Sequence, residues 1–182
     1  GKQQGKALKD IVGEAFETHR NRIWTYFGFT VTKDTKTHGA LFTVDLAIYH
    51  PNAPDTGLVA LEEDKGHYLD SCFMERAITG FAKTINLYKK TEKTIPTLII
   101  HSFTTYNLFP TKMKEDLETR REDIAMTLKE KVKYTALTSR DRIPAKDWFG
   151  SGEKGIPNAY SKHANDTHIQ QDIDFILSLV PP

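Results

Sequence analysis

Two apolar stretches flank the segment "PNAPDTG", and this arrangement constrains the fold more than anything else in the chain. In "LFTVDLAIYH", Phe42, Val44, Leu46 and Ile48 alternate with Thr43, Asp45, Ala47 and Tyr49, the two-residue period of a strand with one face on a core. The prolines, Asp and Gly of "PNAPDTG" then make a turn. "LVALEEDK" follows as a second strand, so the two predict a β-hairpin. The second strand ends in Glu62, Glu63, Asp64 and Lys65. Either it surfaces into water there, or it delivers charged groups to a site that uses them.

The rest of the chain supplies helices and further strands around that hairpin. Leu8, Ile11, Val12, Ala15, Phe16, Ile23 and Phe27 recur at helical spacing, which predicts an amphipathic helix ended by Gly28. "FTVTKDTKTHGA" reads as a short strand and a polar turn. From Leu69 to Lys90 the helical period returns in Phe73, Ala77, Phe81, Ile85 and Tyr88. "TLIIHSF" is a buried-strand run, and its approach through a helix predicts a parallel crossover. A charged helix over Lys112–Lys131, a strand in "KYTALT" and a last helix over Asp166–Leu179 complete the order. "SRDRIPAKDWFGSGEKGIPN" reads as a long loop. The class is α/β, a mixed β-sheet flanked by helices. One domain over residues 1–182 is expected, with further domains outside these residues left open.

Composition closes several routes. The 182 residues can bury on the order of 70% of their unfolded surface. The one cysteine, Cys72, excludes an internal disulfide framework and a cysteine-based zinc site. No window approaches 18 consecutive apolar residues, so no membrane span is expected. "GKQQGKALKD" lacks the apolar core of a secretory signal, and the chain is expected to be intracellular, in the cytoplasm. The net charge of +1 argues neither for nor against nucleic acid, because an acidic centre within a basic rim also sums to near zero.

Alternate side chains of a strand share a face, so Glu63 and Lys65 point one way and Glu62 and Asp64 the other. A hairpin can bring Asp45 beside Glu63. Two carboxylates that close repel, and one would take up a proton unless a divalent cation sits between them. Hard oxygen ligands suit magnesium, with manganese as a substitute. A lysine alongside can orient or deprotonate a water and stabilise developing negative charge. Together these form a minimal apparatus for phosphodiester hydrolysis.

With Asp45 in "FTVDLAIY" and Glu63-Asp64-Lys65 in "LVALEEDK", the sequence resembles the PD-(D/E)XK nuclease superfamily, which includes restriction endonucleases and Holliday-junction resolvases. The opening helix, "GEAFETHRNRIWTYFGFTV", is similar to the family's first helix, and the resemblance covers roughly Gly13 to Phe103. Val44 stands where the family frequently has a proline. The resemblance implies a restriction-endonuclease-like core and a magnesium-dependent endonuclease acting on DNA, restriction-type or resolvase-type. It implies Asp45, Glu63 and the backbone carbonyl of Asp64 as metal ligands, Lys65 as the residue that positions water, and Glu17 as an auxiliary carboxylate. Double-stranded DNA is the expected partner and a homodimer the expected assembly. An RNA endonuclease of the same fold and a catalytically inactive nucleic-acid-binding module are the alternatives.

Plainer readings stand beside these. Asp45 suits a solvated strand position, Glu63 and Lys65 suit a salt bridge on an exposed edge, and Glu17 suits an ordinary helix surface. His67 reads as a loop histidine or a phosphate contact, and His101 as a packed strand residue. In "HANDTH", Asn165 and Asp166 suit a helix N-cap better than a metal pair. For nucleic acid, Lys83, Lys89, Lys90 and Lys93 crowd one helix end. Arg140, Arg142 and Lys146 lie near Trp148 and Phe149 in the long loop, a mix that can track phosphate and stack on bases.

Overall fold

The structure is a computed structural model. It describes residues 8–37, 42–51, 57–65, 71–92, 94–102, 115, 118–119, 125–136, 143–149, 152 and 155–180. Helix α1 (Leu8–Tyr26) buries Phe16, His19, Arg20, Ile23 and Trp24, a stripe at three- and four-residue steps that faces the sheet. Its end is fixed by Gly28, whose φ of +98° is a left-handed conformation costly for any residue with a Cβ. Gly28 N–H donates to Thr25 O and Phe29 N–H to Trp24 O, the paired bonds that close a helix through a glycine.

Strands β1 (Thr30–Thr37), β2 (Phe42–Tyr49), β3 (Leu58–Lys65), β4 (Thr97–Ser102) and β5 (Val132–Ala136) form one sheet in that spatial order. β1, β2 and β3 pair antiparallel, and β3, β4 and β5 pair parallel, so the sheet is mixed. The predicted hairpin is β2–β3, and the predicted parallel crossover runs through α2 (Ser71–Lys90). β1 reaches eight residues and is longer than its polar sequence suggests.

Helices cover both faces. On one side α2 and α3 (Ala125–Lys131) bury Ile78, Phe81, Ile85 and Leu128 against Ala47, Leu61, Leu98 and Ile100. On the other, α1 packs with three C-terminal helices, α4 (Ala145–Phe149), α5 (Asn158–Lys162) and α6 (Thr167–Ser178). Leu46, Ile48, Ala60 and Ile99 supply the sheet residues there. The expectation that β2 has one face away from a core is therefore corrected: Ala47, beside Asp45, is fully buried under α2. α4 lies within the segment read as a long loop, and α5 begins at that segment's last residue, Asn158. Five-residue helices hold too few turns for a visible period. Of the charged helix over Lys112–Lys131, the described part is α3 with Glu115, Glu118 and Thr119.

Candidate active site

β2 and β3 run as a ladder from Tyr49↔Leu58 to Leu46↔Glu62, and no registered pair continues beyond. At that point side chains replace the ladder. Asp45 N–H donates to Glu63 Oε1 at 3.0 Å, and Asp64 N–H donates to Asp45 Oδ2 at 2.8 Å. Two carboxylates thus cross-bridge the strands where they part. The face alternation breaks there as well: Val44 packs with the α2-side cluster, although Leu46 and Ile48 pack under α1.

The fork concentrates negative charge. Burial, then the neighbouring Asp45 and Glu17, push the Glu63 carboxyl from the ordinary 4.5 up to about 9, while Arg76 pulls the other way. Glu17 comes from α1 and Arg76 from α2, which cover opposite faces of the sheet, and both act on the Glu63 carboxyl at the strand end. The structure brings together Asp45, Glu63 and Glu17, three of the residues the sequence singles out. Glu17 is partly buried, which its helical-wheel position opposite Leu8, Ala15 and Ile23 does not suggest. Lys65 closes β3 opposite Ser102, and its side chain lies outside the described residues.

The donors fit a magnesium ion in one specific sense. A carboxyl held near 9 by burial, and then by the acidic Asp45 and Glu17, is a position where a cation relieves a cost that a proton otherwise relieves. Among the described residues no three His, Cys, Asp or Glu side chains form a metal cage. Magnesium keeps several waters and needs only one or two carboxylates.

The other half of the charged strand end is not a surface. Glu62 and Asp64 are buried on the α1 side. Arg20 Nε donates to Glu62 Oε2 at 3.1 Å and Nη2 to Oε1 at 2.8 Å, while Trp24 Nε1 donates to Oε1 at 3.2 Å. Arg20 Nη1 and Tyr160 Oη each reach Asp172 Oδ2 at 2.6 Å. Burial and the adjacent Glu62 push the Asp64 carboxyl well up. No donor reaches the Asp64 oxygens, so beside Glu62, which Arg20 holds in its ionised form, the protonated form of Asp64 is the favoured one.

His101 stacks on Phe16 with ring centroids 5.5 Å apart, and burial pushes its imidazole well below 6.5; it is a packed strand residue, as expected. Burial, reinforced by Arg20, pushes His19 to about 3. Arg20, Asp172 and Tyr160 carry no sequence signal. A polar residue on a helix reads as its wet side, and Arg20 and Asp172 are 152 positions apart.

The loop reading of the nucleic-acid contacts is corrected in part. Trp148 is 2% exposed in the core beside His19, where it cannot stack on a base. Lys146 is exposed. His67, Lys93, Arg140, Arg142 and the side chain of Phe149 lie outside the described residues. In "HANDTH", Asp166 caps α6 by accepting from the N–H groups of His168 and Ile169. His163 Nε2 lies 3.0 Å from Asp147 Oδ2 and joins α5 to α4.

Comparison of the chain with protein-family models, with curated proteins and with solved structures returned no match. None of the helices among the described residues is long and apolar enough to cross a membrane.

Proposed function

We propose that the chain is a magnesium-dependent endonuclease of the PD-(D/E)XK, restriction-endonuclease-like kind, hydrolysing DNA phosphodiester bonds in a restriction-type or resolvase-type reaction. The observation that carries this reading is the fork: β2 and β3 separate at Leu46↔Glu62, and Asp45 and Glu63 meet directly beyond it. Buried carboxylates crowded without a cation are unfavourable, and a site that uses one explains their placement.

In this reading Asp45 and Glu63 hold the metal, with the Asp64 carbonyl as a third oxygen. A magnesium ion held by these oxygens would supply Lewis-acid polarisation of the scissile phosphate and a more acidic water. Lys65 orients that water and stabilises charge on the phosphate as it is attacked. Glu17 tunes the charge of the fork from α1. The Asp64 amide fixes the orientation of Asp45.

Plasmid DNA and a structured RNA are incubated with the protein and magnesium or manganese, then resolved on a gel. DNA cleavage lost in Asp45→Asn supports the reading. Cleavage of RNA alone moves it to the ribonuclease alternative. No cleavage of either by folded protein overturns it and leaves a binding module.

A further inference from the structure

From Arg76 to its C-terminal end, the exposed side of α2 carries a row of cations. Arg76, Lys83 and Lys90 are each seven residues apart, and seven residues fall about 20° short of two helical turns. They therefore share one face, about 10 Å between neighbours and about 21 Å end to end. All three are exposed, while Ala77, Ile78, Phe81, Ile85 and Tyr88 bury the opposite face. No Asp or Glu occurs between Arg76 and Lys90. α3, by contrast, pairs Lys129 and Lys131 with Glu130. The row begins at the fork's end of the sheet, because α2 follows the end of β3 after five residues and Arg76 lies in its second turn.

We propose that the outer face of α2 is a track for a nucleic-acid backbone, on which Lys83 and Lys90 neutralise phosphates of the strand that Arg76 leads away from the fork. The proposal deepens the nuclease reading and rests on it for the direction of the track. A spacing of about 10 Å matches about three nucleotide steps of 3.4 Å along a duplex axis, so the lysines meet separate phosphates. Regular, acid-free positive charge that continues from a phosphodiester site complements a polyanion of repeating charge. It has no apolar face to offer a membrane or a folded protein, since the apolar side of α2 is taken by the sheet.

The test needs no catalysis. Binding of a short duplex and a short RNA is measured by fluorescence anisotropy over a salt series without divalent metal, for wild type and Lys83→Gln/Lys90→Gln. Lys129→Gln/Lys133→Gln, exposed on α3 and β5, is the charge-matched control. The expected result is a salt slope shallower by ~1.8 on duplex or ~1.4 on single strands in the α2 variant, with no comparable change in the control. An unchanged slope, an equal change in the control, or no binding by wild type overturns the track. Loss of binding to phosphatidylserine vesicles with nucleic-acid binding intact overturns it in favour of a lipid surface. Cleavage is scored separately, so an inactive protein that binds through these lysines keeps the track and loses only the nuclease.

Discussion

Glu62 and Glu63 are chain neighbours in β3 whose carboxyls meet opposite electrostatic environments. Burial alone would raise the Glu62 carboxyl, but the two-point contact with Arg20 pulls it below its ordinary value. Glu63 faces burial, the Asp45 charge and Glu17, opposed by the Asp45 amide that it accepts from and by Arg76, and is pushed to about 9. The strand pleat therefore separates a neutralised structural carboxylate from an unneutralised one.

The Glu63 proton makes metal-free stability depend on pH. Between about 4.5 and about 9 the folded form holds a proton that the unfolded form has lost, so this group's contribution falls as pH rises through that window. Glu63→Gln removes the effect. Metal-free Glu63→Gln should be more stable than wild type by about 1–3 kcal/mol at pH 8, with the difference vanishing near pH 4.5. Magnesium should raise the wild-type Tm more at pH 8 than at pH 6, because a ligand carboxyl must be ionised. Urea melts across pH check the first statement and thermal melts with magnesium the second. A gap between variant and wild type that does not change with pH would show that Glu63 is ionised throughout.

If the proposed reading holds, Lys65→Ala should lower cleavage by about 10²–10⁴-fold while leaving the melting curve close to wild type, because that reading gives this strand-end lysine to the attacking water. Plasmid relaxation rates beside circular dichroism melts separate the two effects. Wild-type turnover by the folded variant would remove Lys65 from the site.

The hairpin and the meeting of Asp45 with Glu63 were legible because strand period and turn residues are local signals, whereas the register, with its shift at Ile48/Tyr49, was not. His101 was legible for the same reason, since a histidine inside "TLIIHSF" has little choice but to pack. The buried network was not. Glu62 and Asp64 resemble a solvated strand end, and only the arrival of Arg20 and Asp172 from distant segments makes their burial tolerable. Trp148 misled for a related reason: basic and aromatic neighbours suggest stacking on bases, whereas burial depends on α1 and α5 packing over it. The break in alternation at Val44 is equally invisible, because it arises from side chains replacing ladder bonds at the fork.

Cutting both strands of a duplex should require two copies of the chain. In the proposed reading the fork provides one Asp45, Glu63 and Lys65 set for one scissile phosphate, so a second cut would need a second subunit or a second encounter. Two-fold dimers are the commonest solution. The apolar face of α2 cannot be the interface, since it is already buried on the sheet. Sedimentation with a short duplex, together with a supercoiled-plasmid assay, should show a dimer and linear product. A monomer on DNA that yields only nicked circles would make the protein a nickase and leave the metal site in place.

Arg20 should be the most sensitive position outside the fork. Its three nitrogens serve Glu62 and Asp172 with no side chain reaching solvent, and its guanidinium sits 5.8 Å from the Trp24 ring centroid. Arg20→Ala leaves two carboxylates buried around a cavity, which costs about 3–5 kcal/mol in systems of this kind. Arg20→Lys keeps the charge but cannot span both partners, so it should recover only part of the loss. Adding Glu62→Gln and Asp172→Asn to Arg20→Ala should restore stability relative to Arg20→Ala alone, because the charges that need the guanidinium are gone. Urea midpoints of the four proteins decide the matter. If the triple variant is no more stable than Arg20→Ala, the penalty comes from the cavity and the network is packing with charges attached.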